Sequence, residues 1–417
     1  MNLVKQDRKR TGRKFRFEEL EARQLMTATT VPADVTAGLN WLKTNVKNTV
    51  IRTLAQSEFQ DGVLSRTDMI SIFRRVEQNG TLTQQEYNGL KAIVNHAAFF
   101  TGEYYVQQLS DDIVLANVAN AHYQGATLGN LKVGAGAAKL EKLVDKWFLG
   151  TDDPVATSDW VGSNGKDMTF GYSEVSGQLF VQQVGDSNAV AYTDVRQGGI
   201  GDCYFLSSLA ETALKDPNAI TSMFIVNGDG TYTVRFMRGS VAQYVTVDSK
   251  LPTDSSGELV FDGMGQQASD PGNELWVALA EKAYVQLNES GWIRPASWGG
   301  GKNVYNAISG GYMFMALNQI TGAATVSGVP TFYSTQGFNT LVAAFNAGDS
   351  VCLASMNNPG DSEIVGDHAY AVLSVDTTNQ TVTVYNPWGV NNGHDSGIIT
   401  LTWYEVSQCF SYYDRTA

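Results

Sequence analysis

Three cysteines and four histidines are all that the 417 residues contain. Cys203, Cys352 and Cys409 are too few, and odd in number, for a disulfide framework, so the fold does not rest on bridges. His96, His122, His368 and His394 never fall at zinc-ligand spacing with those cysteines, which argues against a structural zinc site. No apolar run approaches the ~18 residues that a membrane-spanning helix needs. Charge is thin too, at 17% of residues, while apolar residues reach 43% and glycines number 41. That balance describes a folded, loop-rich chain rather than a disordered one, long enough for two or three domains.

Positive charge is scarcest of all once the first residues are passed. Residues 1 to 16 hold seven Lys or Arg and one acid; the remaining chain holds 22 basic and 41 acidic side chains. Such a body repels phosphate backbones and has no basic patch, so nucleic acid is excluded as a partner. The basic start has the charge of a secretory n-region, but Glu18, Glu19, Glu21 and Arg23 interrupt the apolar segment that should follow. The run FRFEELEARQLMTA resembles a short leader of large exported or surface proteins of planctomycete-type bacteria. That resemblance implies an extracellular or envelope location, with a disordered cytoplasmic arm as the alternative.

What is present divides at about residue 150. Residues 1–30 read as a basic leader or arm, and 31–150 as a helical domain. Met69, Ile70, Ile72, Phe73 and Val76 recur at helical spacing, Asn79-Gly80 ends that run, and Thr81-Leu82-Thr83 begins another. Neither Asp61-Gly62 nor Asn79-Gly80 has the alternating oxygen ligands of a calcium loop. The stretch LGTDDPVATSDWVGSNGKD reads as a connecting loop. Beyond it TYTVRFMR and AQYVTVDS alternate as strands, NELWVALAEKAYVQLN is a helix, and HAYAVLSVD with TVTVYNPWG is a strand pair. The fold class is therefore α+β, preceded by a mainly helical domain.

One cysteine stands out. In RQGGIGDCYFLSSLAETALKD, Phe205, Leu206, Leu209, Ala213 and Leu214 continue at helical spacing from Cys203, while the glycines before it cannot be helical. Cys203 thus opens a helix, where free N–H groups and the helix dipole favour a thiolate and can receive an oxyanion. By local sequence alone this is a weak signal, and a buried apolar cysteine is the stronger reading. A thiol nucleophile needs a base and the base an orienting partner. His368 starts one strand and Asn386 ends the next, so a turn over 377–380 places both at one end of the sheet. Cys352 and Cys409 have no such setting and read as core residues.

The blocks VSGQLFVQQ, DVRQGGIGDCYFLSSLAE, VTVDSKLPTDSSGELVFDG, GNELWVALAEKAYVQLN, NAISGG, GDHAYAVLSV and VYNPWG resemble, in order, those of the calpain family of cysteine proteases. The likeness spans about 168–412 and implies a two-lobed papain-like core, with the Cys lobe at about 168–305 and the His/Asn lobe at about 306–412. It implies Cys203 as nucleophile, His368 as base and acid, Asn386 as the group orienting the imidazole, Gln197 as an oxyanion donor and Trp388 as a shield. Protein or peptide substrates follow, with no cofactor needed for the chemistry. Calcium as activator is a further implication, with Asp194 and Glu274 in the first lobe and Asp361 and Glu363 as carboxylates for a second site. Val390-Asn391-Asn392-Gly393 after the NPWG block and Asp367 before His368 depart from the family pattern. A catalytically silent scaffold and a thiol acyltransferase are the competing readings. Residues 31–150 are open to roles as propeptide, inhibitory cap or interaction domain, and the oligomeric state is not readable.

Overall fold

The computed structural model describes residues 33–78, 80–182, 188–331, 335–390 and 392–417. The basic leader, Asn79 and Asn391 lie outside the described residues. Six helices of nine residues or more, from Ala33–Asn45 to Ala137–Trp147, build the N-terminal unit. Its helices start where side chains can satisfy free N–H groups. Ser65 and Asp68 form a reciprocal capping box on Arg66–Glu77, and Thr83 and Glu86 form another on Gln84–Val94, each cap contributing about 1 kcal/mol. Met69, Ile70, Ile72, Phe73 and Val76 all point into one apolar core, as their spacing predicts.

This unit docks against the three-stranded antiparallel sheet Phe224–Val226, Thr231–Arg238 and Val241–Asp248. The Tyr244 amide donates to Gln108 Oε1 at 2.6 Å, and Arg66 pairs with Asp229 at 2.9 Å. Lys146, only 1% exposed, bonds Asp152 and, at 2.6 Å, Glu289. Removing one partner of such a buried set strands a charge, so the two units are held as one body.

The stretch read as a connecting loop is not all loop. Thr157–Val161 and Asp167–Thr169 pair as an antiparallel hairpin, closed through Asn164-Gly165 with Gly165 at φ 71°. An Asn-Gly pair is a strong hairpin signal that the surrounding Gly, Ser and Asp content masks.

Two lobes follow. In the first, the helices Cys203–Lys215, Trp276–Asn288 and Met313–Thr321 share one core. That core also takes in Ile308, Met313 and Ile320, and reaches the second lobe at Cys352, Ala354, Ala369, Ala371 and Tyr385. The second lobe is a six-stranded antiparallel sheet ordered Thr325–Gly328, Phe410–Thr416, Val351–Ser355, Ala369–Asp376, Thr381–Tyr385, Ile398–Thr402. Strand alternation splits its faces. Cys352, Ala354, Ala369 and Ala371 turn towards the Cys203 helix, while Val351, Leu353, Tyr370 and Val372 fill a separate core on the other side. Small residues on the inner face let helix and sheet approach closely. Glu211 of the helix also accepts the Val351 amide at 3.1 Å.

Candidate active site

Cys203 is the first residue of its helix, and its side chain is 9% exposed. Gly198 is needed just upstream, because a Cβ there would lie 2.4 Å from the carbonyl oxygens of both Val260 and Phe261. Burial pushes the Cys203 thiol up to about 12, although the amides of Ala369, Tyr204 and Cys203 itself pull the other way. The helix terminus therefore does not by itself ionise this sulfur.

His368 precedes strand Ala369–Asp376 and Asn386 follows strand Thr381–Tyr385; the two strands pair with Ala371 opposite Tyr385. The predicted juxtaposition forms: His368 Nε2 and Asn386 Oδ1 lie 2.9 Å apart. The histidine backbone is fixed from both sides, its amide donating to Ser355 Oγ at 2.9 Å and its carbonyl accepting from the Ser355 amide at 2.8 Å. Trp388 and Tyr370 flank the ring, each centroid 5.1 Å away. Burial lowers the imidazole to about 4, against smaller opposing effects of Asn386 and Asp395. At neutral pH it is uncharged.

Asp395 was invisible to pattern reading. Its Oδ2 accepts from Asn386 Nδ2 at 2.7 Å, which fixes the amide so that Oδ1 faces the ring. The Trp388 amide also donates to that Oδ1, at 3.0 Å. An oxygen on this side makes Nε2 the protonated nitrogen and leaves Nδ1 basic. Asp395 is itself held by Asn392 Nδ2 at 2.8 Å and the Gly397 amide at 2.6 Å. The only sequence trace is a cluster of Asn, Gly, Asp and Ser, which reads as a loop. Asp395→Ala should cost roughly 10- to 100-fold in kcat with little change in KM, and Asp395→Asn, which can rotate an oxygen towards Asn386, should recover part of it. Steady-state kinetics across pH check this; a change in KM alone contradicts it.

Gln197 lies beneath the same cavity, its amide N–H donating to Pro387 O at 2.8 Å across the lobes. Its Nε2 donates to Ile200 O at 2.8 Å and to Asp202 Oδ1 at the longer distance of 3.2 Å. One side-chain hydrogen is thus firmly engaged and the other weakly. Behind it Asp202, Glu281 and Asp262 are buried together. Burial raises Asp202 to about 7 and carries Glu281 and Asp262 well above the carboxylate range.

These carboxyls have a thermodynamic consequence. Groups raised in the folded state stabilise it below their unfolded pKa, ~4, and that stability is lost as pH rises through the folded values. Glu211, raised by burial to about 8, and Glu289, to about 7, act in the same sense. His368 and His96, both lowered by burial, act oppositely but are outnumbered by the raised carboxyls. The melting temperature should fall by several degrees from pH 5 to pH 8, and less in Asp202→Asn. Calorimetry checks it; a rising melting temperature over that range contradicts it.

The resemblance implies Asp194 and Glu274 for a first-lobe calcium site and Asp361 and Glu363 for a second, and three of these four carboxylates accept hydrogen bonds from the protein itself. Asp194 Oδ2 accepts the Ala191 amide at 2.7 Å and Trp276 Nε1 at 2.9 Å. Glu274 Oε1 accepts the Val181 amide at 2.9 Å. Asp361 accepts the Glu363 amide on a separate loop near Cys409. No group of three or more acidic, His or Cys side chains able to hold a metal occurs among the described residues. Asp367 stands at φ 52°, a conformation that favours glycine, and lines the cleft. Cys352 and Cys409 are buried free thiols, as expected.

Cys203, His368, Gln197 and Trp388 line one cavity of about 620 Å³ between the lobes. Among the described residues, none of the N-terminal helices contributes to that lining. Over residues 178–408 the chain matches the model of the calpain family cysteine proteases. It belongs to this family. It is 29% identical to mouse calpain-8 over 220 residues, which are 47% of this chain and 28% of that protein. It is 31% identical to the maize calpain-type cysteine protease DEK1 over 225 residues, 48% of this chain and 9% of that protein. Human calpain-2 catalytic subunit is 27% identical over 220 residues, again 47% and 28%. The chain thus matches less than a third of these relatives' length. Family membership supports a cysteine peptidase with an α+β fold, and no described helix is long and apolar enough to cross a membrane.

Proposed function

We propose that the chain is a cysteine endopeptidase with Cys203 as nucleophile, His368 as general base and acid, Asn386 as the group orienting the imidazole, and Gln197 with the Cys203 amide as oxyanion donors. The observation that carries this is the oriented His368–Asn386 pair sharing one cleft with a cysteine at a helix start. Thiol and imidazole are both neutral at rest. As Sγ attacks a peptide carbonyl, its proton passes to His368 Nδ1 and negative charge moves to the carbonyl oxygen. The second Gln197 hydrogen, weakly held by Asp202, turns to that oxygen. His368 then protonates the leaving amine, the C–N bond breaks, and a thioester remains. Water, deprotonated by His368, hydrolyses the thioester and restores the thiol.

The helical unit docks on the outer sheet rather than over the cleft, which favours a scaffold over an inhibitory cap. The test is digestion of an unfolded protein followed by sequencing of new amino termini. Internal cleavages, seen without added calcium or only with it, support the reading. A folded protein that releases no fragments in either condition contradicts it.

A further inference from the structure

The hairpin that replaces the expected linker brings a carboxylate into the cleft. Asp159 lies on its first strand, outside the segment that matches the family. The Asp159 amide donates to Gly199 O at 2.8 Å. Its Oδ2 accepts the Gly201 amide at 2.8 Å and Ser309 Oγ at 2.6 Å. Gly201 is two residues before Cys203, and the Gly310 amide donates back to Gly201 O at 2.8 Å. Backbone and one carboxylate oxygen are thus fixed, while Oδ1 is free to meet a ligand from an exposed side chain.

Charge and shape around Asp159 point the same way. The cavity lining contains Asp159 and Asp367 but no Lys or Arg among the described residues. A neighbouring cavity of about 810 Å³ shares Trp160 with it and adds Asp254 and Glu258, again without a cation. Trp160, 40% exposed, lines both cavities and follows Asp159 on the same strand. A cavity lined by both an aromatic side chain and a fixed carboxylate suits a cation on an apolar stem, guanidinium above ammonium.

Resting on the peptidase reading, we propose that Asp159 is a specificity-determining residue. It selects peptides with Arg or Lys on the acyl side of the scissile bond. The leaving amine departs towards His368 and Trp388, so the side chain of the acyl residue is left against the Gly201–Ser309 wall, where Asp159 sits. Its role as a brace for Gly201 and Ser309 is separable from its charge, because Asp159→Asn keeps an oxygen acceptor there.

The experiment compares fluorogenic peptide amides that differ only in the acyl-side residue: Arg, Lys, Gln, Met or Glu. The wild-type kcat/KM for Arg should exceed that for Gln by roughly 10- to 100-fold, and this ratio should shrink as salt is raised. In Asp159→Asn the ratio should fall to within about threefold of unity, and in Asp159→Lys the order of Arg and Glu should reverse. Equal cleavage of the Arg and Gln peptides by the wild type, or a ratio unchanged in Asp159→Asn, overturns this inference and leaves the peptidase standing. A folded wild type that cleaves none of the series overturns both.

Discussion

Cys203→Ala is expected to lower kcat/KM for peptide hydrolysis by at least about 10⁴-fold, leaving only what oxyanion donors and substrate binding supply. Among the described residues the serines that line the cleft are engaged, Ser309 Oγ with Asp159, Ser355 Oγ with Val365 O and Ser411 Oγ with Ala354 O, and Cys352 is wholly buried on the sheet. The variant should fold normally. Cys203 belongs to the first-lobe core but also borders the cavity, so losing one sulfur atom there enlarges an existing space rather than creating a closed void. Hydrolysis assays paired with thermal melts check both halves. Residual cleavage above a few per cent of wild type contradicts the assignment.

His368→Ala should be nearly as damaging, for a reason that lies in the thiol. With the Cys203 thiol pushed up to about 12, only about one molecule in 10⁵ carries a thiolate at neutral pH without a partner base. The loss should therefore approach 10⁴- to 10⁵-fold, and the remaining activity should climb tenfold per pH unit with no plateau up to pH 10. Wild-type kcat/KM should instead stay level through neutrality and fall on the acid side near 4, where the imidazole takes a proton. The double variant Cys203→Ala/His368→Ala should be no worse than either single one, since the two side chains act as a unit. A His368→Ala enzyme retaining a tenth of wild-type activity contradicts this.

Much of this site was legible in the sequence because its parts sit at element boundaries. Glycines that cannot be helical followed by an apolar period mark Cys203 as a helix start. Two alternating runs joined by a short turn place His368 and Asn386 at one sheet end, which the 2.9 Å contact matches. The apolar spacing from Met69 to Val76 gave the helical unit in the same way. What escaped detection depends on contacts between segments far apart in the chain or on side-chain direction. Asp395 lies in a loop whose composition says only that it turns. Asp159 lies 44 positions before the nucleophile, on a hairpin hidden in a loop-like stretch. The buried acids Asp202, Glu281 and Asp262 come from three segments, and no periodicity shows that they share a core. The calcium assignment rests on resemblance alone, because two carboxylates in distant segments leave no spacing in the sequence that marks them as partners.

The most direct measurement is the reaction of the intact protein with an uncharged peptidyl epoxide, followed by mapping of the adduct. One equivalent should attach to Cys203, at a rate at least about 100-fold lower in His368→Ala, while Cys352 and Cys409, 0% and 2% exposed, stay unmodified in the folded protein. Adducts spread over all three cysteines, or a Cys203 rate unaffected by His368→Ala, contradict a nucleophile activated by this histidine.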